Sequence, residues 1–428
     1  MLTTRPRGTN DILPDEAAQW QALERTIREV CRDFGYGEIR TPIFEHTELF
    51  ARTAGEATDV VRKEMYTFLD RGDRSLTLRP EGTAAVVRAY LEHHLHARPQ
   101  PVKLYYLSTP MFRYERPQAG RYRQHHQFGA EALGSADPAL DAELITLPIE
   151  LLRRLGLTGL AVKLNSIGCP VCRPGYLRAL KAYFSPHLEA LCADCRHRYE
   201  LNPLRLLDCK VEGCRALRRD APRILEHLCA ECADHFRRLR GYLEALGIDY
   251  ELEPTLVRGF DYYTKTVFEV VYGGLGAQDA VCGGGRYDGL VEALGGEPTP
   301  AIGFGLGMER LLLTLRAAGA EPPPPPPLAV FVASAGEETR RQAIELVYAL
   351  RRRGVAADTD YGGRSLRSQM RFADRYPARF VAILGERELA AGEIPVRDMR
   401  SGEQQTLPWA ELVERLAALA QAAEEGRA

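Results

Sequence analysis

No apolar run in this 428-residue sequence approaches the ~18–20 residues a membrane span requires, and the longest, such as residues 328–333 (LAVFVA), are short. A transmembrane chain is thereby excluded. The N-terminal stretch MLTTRPRGTND has no apolar h-region, so export is not expected and a cytoplasmic location is. Net charge is almost absent too: 56 Lys+Arg face 58 Asp+Glu, leaving −2. Any surface that meets a nucleic acid must therefore be a local basic patch. The sequence has no Walker phosphate loop, no dinucleotide fingerprint and no long internal repeat. Apolar residues are not scarce: at 45% they exclude wholesale disorder, and the length predicts two or three domains.

One composition break organises the chain. Glu321 is followed by six prolines, residues 322–327. Proline lacks an amide donor and fixes φ, so the run predicts an extended spacer of about 19 Å. Beyond it, strands are expected at 328–333, 355–358 and 380–384, and helices at 338–352 and 366–375, the latter basic and amphipathic. That alternation reads as an α/β domain with a mainly parallel sheet. Before it, a helix is expected over 15–34, opened by Pro14 and Asp15 and closed by Gly35. Strands are expected at 75–78, 102–108, 161–164, 267–271 and 301–306. They outnumber the helices between them, which favours an antiparallel sheet flanked by helices. Residues from about 170 to 245, rich in Arg, Cys and Leu and mostly helical, read as an insertion.

Four segments carry chemistry. Residues 112–131 (FRYERPQAGRYRQHHQFGAE) read as a long hairpin around Pro117 and Gly120. Side chains two apart share a strand face, which groups Arg113 with Glu115, and Arg123 with His125, Gln127, Gly129 and Glu131. Such a face offers guanidinium and carboxylate groups to a ligand with both phosphate and amine; a solvated charged hairpin reads equally well. At 78–83 (LRPEGT), Glu81 and Thr83 either accept from an ammonium group or cap the following helix. At 301–313 (AIGFGLGMERLLL), alternating glycines leave one strand face bare, for a flat ligand or for close sheet–helix packing. Arg310 falls in the first turn of the next helix, where an anion is favoured. Residues 281–290 (VCGGGRYDGL) read as a second glycine-rich turn, and 256–270 (LVRGFDYYTKTVFEV) set Arg258, Asp261, Tyr262 and Tyr263 on a turn entering a strand.

Taken together these segments resemble the histidyl-tRNA synthetases, class II aminoacyl-tRNA synthetases, over nearly the whole length. Residues 40–50 (RTPIFEHTELF) resemble class II motif 1, 112–131 motif 2 and 301–311 motif 3. Those three identify only the class. LVRGFDYYTKTVFE at 256–269 and GGGRYD at 283–288 are similar to peptides peculiar to the histidine enzymes and argue against a proline or threonine enzyme. The implied fold is an α+β class II core, an antiparallel sheet flanked by helices, with a helical cysteine-rich insertion and a C-terminal α/β anticodon-binding domain. The implied order is core at 1–168, insertion at 169–245, core again at 246–320, linker at 321–327 and anticodon-binding domain at 328–428.

The resemblance implies ATP-dependent ligation of L-histidine to tRNA-His through histidyl-adenylate, with Mg²⁺ bridging the phosphates and a homodimer built on motif 1. It assigns Arg113 to the α-phosphate, Glu115 to the adenine amino group and Arg310 to the far end of the triphosphate, with Arg121 another ATP-side candidate. Glu81, Thr83 and Gln127 would hold the substrate ammonium. Glu131 and Tyr263, with Tyr262 beside them, would bond the imidazole, whose neutral ring has one donor and one acceptor. Arg258 would offset charge between carboxylate and α-phosphate. Arg116 and Gln118 would meet the tRNA acceptor end, and Arg364, Arg367 and Arg371, three and four apart, would form a phosphate-contacting stripe on one helix face. His125 stands where the family usually has an adenine-stacking Phe, and its imidazole is expected to titrate near neutral pH. A rival within the fold, a regulatory paralogue that binds histidine and makes no adenylate, generally lacks the anticodon domain and the motif arginines, all present here.

Eight of ten cysteines lie in the insertion, as pairs Cys169/Cys172, Cys192/Cys195, Cys209/Cys214 and Cys229/Cys232. Their spacing fits two structural Zn²⁺ sites of four thiolates each, one such site, or unliganded thiols and disulfides. Zinc would brace the insertion and take no part in catalysis.

Overall fold

Pro14 and the acidic residues Asp15 and Glu16 start the first helix, Pro14–Asp33, and Gly35, at φ +75°, turns the chain out of it. Its stripe of Trp20, Leu23, Ile27 and Val30 is buried in the main core. The computed structural model describes residues 3–54, 58, 60–118, 120–275, 280–322, 328–376 and 378–425. The chain divides into two units, Met1–Pro323 and Pro324–Ala428. The expected polyproline spacer falls mostly on residues 323–327, outside the described residues.

The strands of the first unit, in chain order, are β1 (Gly37–Glu38), β2 (Phe44–His46), β3 (Tyr66–Leu69), β4 (Ser75–Leu78), β5 (Val102–Phe112), β6 (Gln124–Leu133), β7 (Leu160–Ser166), β8 (Tyr250–Leu252), β9 (Thr264–Tyr272), β10 (Ala280–Arg286) and β11 (Ala301–Gly307). Eight of them form one sheet in the order β1-β5-β6-β11-β10-β9-β7-β8. It is antiparallel from β5 through β7, with only β1 and β8 added in parallel at the edges. One face packs on the helices Pro14–Asp33 and Pro138–Arg154 through Phe128, Ala130, Phe268, Val270 and Phe304. Alternation therefore turns Gln127, Glu131 and the residues between the apolar ones to the other face, where the candidate site lies. Residues 281–286, expected as a turn, are strand β10 instead. Its Arg286 is wholly buried against Asp141 (2.6 Å) and clamps the strand to helix Pro138–Arg154.

The insertion contains helices Arg173–Phe184, Ala193–Leu201, Glu212–Leu217 and Ala230–Ala245. The first three share a core of their own with Leu204, Leu206 and Leu207, whereas the last buries Phe236, Leu239 and Leu243 in the main core.

The second unit has strands β12 (Leu328–Ser334), β13 (Ala357–Thr359), β14 (Ala378–Leu384), β15 (Glu393–Asp398) and β16 (Gln404–Pro408), in the order β13-β12-β14-β15-β16. The first three are parallel and the last two antiparallel, so the sheet is mixed. Helices Glu337–Arg352 and Leu412–Glu425 cover it through Leu346, Val347, Leu350 and Leu416.

Candidate active site

The long hairpin is β5 and β6, but its strands stop at Phe112 and resume at Gln124. Arg113 and Glu115 therefore lie in a loop and not on a strand face. The loop is held by paired backbone bonds between Gln118 and Arg121 (2.9 and 3.0 Å). Arg113 Nε donates to Pro80 O (2.8 Å), which aims the guanidinium across the site, 3.9 Å from Glu115. Arg123 leaves the predicted face and stacks on Tyr114, 3.9 Å from the ring centre.

On β6 the alternation holds. Gln127 and Glu131 lie over the neighbouring strand β11, and that explains its glycines. A Cβ on Gly303 would overlap Glu131 Oε2, and one on Gly305 would overlap Gln127 Nε2. The bare face is thus filled by the chain's own polar side chains and does not receive a flat ligand directly.

Glu131 is fully buried. Thr83 Oγ1 donates to its Oε1 (2.7 Å), Tyr287 OH to its Oε2 (2.5 Å), and Tyr106 OH lies 3.5 Å from Oε1. Burial pushes its carboxyl up to about 8, against the pull of these hydroxyls and with a further push from Glu81. Glu81, also buried, accepts from the backbone amides of Thr83 (2.6 Å) and Ala84 (2.9 Å), so it caps helix Thr83–Glu92; burial raises its pKa as well. Gln127 Oε1 is buried and accepts no hydrogen bond. Hydroxyls and backbone amides meet both buried carboxyls, and the orphaned Gln127 carbonyl oxygen leaves an acceptor open to a bound donor. Arg79, buried beside them, donates to Thr41 O, Pro42 O and Pro110 O and fixes the turn that carries Glu81.

Tyr263 is buried beside Arg258, and burial raises the pKa of its hydroxyl. Tyr262 packs on Tyr263 (4.6 Å), Tyr287 (5.8 Å) and Phe260 (5.2 Å, stacked), and Phe260 lies under the Arg113 guanidinium (5.4 Å). An aromatic row thereby joins Arg113 to the buried carboxylate.

The other end is open and cationic. A cavity of about 540 Å³ is lined by Arg113, Arg121, Arg258 and Arg310, with Glu115, His125 and Glu269. Arg258 pairs with Glu269 (2.7 Å), and its own Nε is buried without a partner. His125 does not titrate near neutral pH as expected: burial, with Arg113 nearby, pushes it down to about 4.

Sequence reasoning missed Tyr106, Tyr287, Glu269, Asp208 and Lys210. Glu269 had a signal, a lone charge inside the apolar strand TVFEVV. Asp208 and Lys210, which also line the cavity, had none, because the insertion brings them there.

Arg116 and Gln118 are exposed in the hairpin loop. In the second unit Arg367 and Arg371 are exposed on helix Leu366–Arg375, but Arg364 precedes that helix. It pairs with Asp360 (3.0 Å) and stacks on Phe372 (4.6 Å), so the stripe has two arginines on the helix and not three.

The cysteines gather as two quartets, Cys169/Cys172/Cys229/Cys232 and Cys192/Cys195/Cys209/Cys214, with all sulfurs of a quartet within 4.8 Å of one another. None forms a disulfide.

The family model for histidyl-tRNA synthetase matches residues 8–311, and that for the anticodon-binding domain residues 329–419. The histidine–tRNA ligase of Desulforamulus reducens is 58% identical over 413 residues, 96% of this chain and 98% of that one. The histidine–tRNA ligase of Desulforudis audaxviator is 59% identical over 417 residues, 97% and 99%. The crystal structure of apo histidyl-tRNA synthetase from S. aureus aligns with a TM-score of 0.83 at 41% identity, over 97% of this chain and all of that one. With the buried carboxylate pocket, the cationic cavity and both family domains in one chain, this protein belongs to the histidyl-tRNA synthetase family.

Proposed function

We infer that the chain activates L-histidine with MgATP and transfers it to the 3′ end of tRNA-His. The observation that carries this is the junction of a buried pocket, with two carboxyls and the unsatisfied Gln127 oxygen, and a cationic cavity lined by Arg258. Glu131 and Tyr263 bond the imidazole, with Tyr262 packed behind; Glu81, Thr83 and Gln127 receive the ammonium. That arrangement points the substrate carboxylate at the arginines. Its oxygen attacks the α-phosphorus, the bond to the β,γ-phosphates breaks, and pyrophosphate leaves. Arg113 and Arg258 neutralise charge growing on the α-phosphate, while Arg310 and Arg121 hold the leaving end and Glu115 and His125 the adenine. The ribose hydroxyl of the tRNA then attacks the activated carbonyl and AMP leaves. No covalent enzyme intermediate is involved, so catalysis is positioning and electrostatics. ATP–pyrophosphate exchange against a panel of amino acids, without tRNA, tests this. Histidine alone should drive exchange; no exchange with any amino acid would favour a regulatory histidine-binding protein.

Residues 1–168 and 246–320 make the catalytic core, 169–245 the insertion, and 328–428 the part that meets the anticodon, through Arg367 and Arg371. Arg116 and Gln118 approach the acceptor end. The second copy of a homodimer covers the apolar side chains exposed around motif 1, Ile43, Phe44, Phe68 and Leu69; sedimentation should give a dimer.

Each cysteine quartet would hold one zinc ion. A tetrahedron with Zn–S bonds of about 2.3 Å has sulfur–sulfur edges of about 3.8 Å. Cys169–Cys172, Cys169–Cys229 and Cys192–Cys209 are 3.8 Å apart and Cys172–Cys232 3.9 Å. Zinc would supply crosslinks with no redox chemistry of their own. Metal analysis of reduced, gel-filtered protein should find two per chain.

A further inference from the structure

We propose that Lys210 is an ATP-polyphosphate contact delivered by the Cys192/Cys195/Cys209/Cys214 site, so that the metal of this site sets ATP affinity; the inference rests on the zinc reading above. Cys209 is buried at 4% exposure, while its neighbours Asp208 and Lys210 are exposed and line the nucleotide cavity. Residues 207 and 208 form a turn, with Leu207 at φ −69° and ψ −20°, and the chain leaving it buries the Cys209 thiol in the insertion while Asp208 and Lys210 line the cavity. Residues 207–211 belong to no helix or strand, so no ladder of backbone bonds fixes them. What holds them is local. Cys209 Sγ lies 3.8 Å from Cys192 Sγ, and Arg218 donates to Leu207 O (2.5 Å) and Cys209 O (3.2 Å).

The same stretch is tied to the loop carrying Arg258. Arg205 donates to Gly259 O (3.1 Å) and Asn202 to Asp261 (2.6 Å). Asp208 is 4.0 Å from Arg205, whereas Lys210 forms no ion pair among the described residues. The cavity wall carries four arginines and the Lys210 ammonium against Glu115, Glu269 and Asp208, an excess of cationic groups that suits a polyanion. Without its metal the quartet loses the crosslink between Cys209 and helices Ala193–Leu201 and Glu212–Leu217, and Lys210 is no longer held over the cavity.

The test is ATP–pyrophosphate exchange by the full chain with MgATP varied at saturating histidine, together with zinc content. Lys210→Ala should raise the KM for ATP about tenfold, the loss of one charge-assisted contact, with kcat and the KM for histidine nearly unchanged, and Lys210→Arg should restore most of it. Cys214→Ser, which leaves residues 208–210 intact, should lower zinc from two to one per chain and raise the KM for ATP to a similar extent. Adding Lys210→Ala to it should cost little more. An unchanged KM in Lys210→Ala overturns the contact. One zinc lost with an unchanged KM overturns the coupling. A wild-type chain without zinc overturns the metal reading itself, while leaving the Lys210 result to stand alone. Should Cys214→Ser fail to fold, chelation of wild-type zinc followed by its readdition gives the same comparison.

Discussion

The two ends of the site are built on opposite principles. The end proposed above to hold histidine is dry: Glu131, Glu81 and Thr83 are 0%, 4% and 9% exposed, and three hydroxyls surround one carboxylate. The nucleotide end is an open cavity of about 540 Å³ whose arginines come from loops and a helix start, with Asp208 and Lys210 from the insertion and Glu269 from β9. The difference follows from the task. Discrimination among amino acids needs buried polar groups that a wrong side chain leaves unpaired, and here they are preorganised by a strand carrying Glu131 and by a helix start that fixes Glu81 and Thr83. A triphosphate needs charge more than shape, and several cations share that work.

The sharpest way to break this contrast is at Glu131. Glu131→Gln keeps the shape and one carbonyl acceptor but puts an NH2 donor where the second carboxyl oxygen accepts, and it should lower kcat/KM for histidine by roughly 10³-fold in pyrophosphate exchange. The KM for ATP should stay within about twofold. Equal damage to both parameters would mean the ends are one cooperative site. Gly303→Ala is the next test, acting through space alone. Its Cβ would collide with Glu131 Oε2, so histidine kcat/KM should fall about a hundredfold while ATP binding persists. Unimpaired activity would show that Glu131 has room to move, and that the glycine serves some other purpose.

Gln127 and Glu131 were legible because they lie on a regular strand, where period-two alternation puts them on one face. The glycines of β11 were legible as a bare face, read as room for a flat ligand or a helix and not for those two side chains. Arg113 and Glu115 were grouped correctly for the wrong reason, since they meet through a loop and Pro80 O and not through a strand face. Arg364 was misplaced because a spacing of three and four implies a shared helix face only inside a helix, and this helix begins at Leu366. The nucleotide end was least legible. Lys210 lies there because its neighbour Cys209 joins Cys192, Cys195 and Cys214, and because Asn202 and Arg205 bond to Asp261 and Gly259, contacts more than 50 residues apart in sequence that no local pattern encodes.

A smaller effect follows from the carboxyl of Glu131, raised to about 8 in the folded chain from an ordinary value near 4.5. Below 4.5 folded and unfolded chains both hold the proton. Between 4.5 and 8 only the folded chain does, so this group's contribution to stability is present at low pH and lost as pH rises towards 8. Glu131→Gln has no such titration. Thermal unfolding of both proteins at pH 5, 6.5 and 8 should show the variant gaining on wild type as pH rises, on the order of 1 kcal/mol per pH unit. A constant difference would put the Glu131 proton in the ordinary carboxyl range.

The smallest effect belongs to His125, and it tests the nucleotide end from the opposite side. A histidine where the family usually has Phe would make ATP affinity pH-dependent if it titrated near its ordinary 6.5. Burial and the neighbouring Arg113 hold it at about 4, so between pH 5.5 and 8 it is a neutral aromatic ring on the cavity wall. His125→Phe should therefore leave the pH profile of the KM for ATP unchanged, and shift its absolute value by no more than about threefold. A profile that flattens below pH 6.5 in the variant would mean that bulk water reaches the imidazole and raises its pKa. That result would make the nucleotide end wetter than the burial of His125 implies, and would widen the contrast with the dry pocket around Glu131.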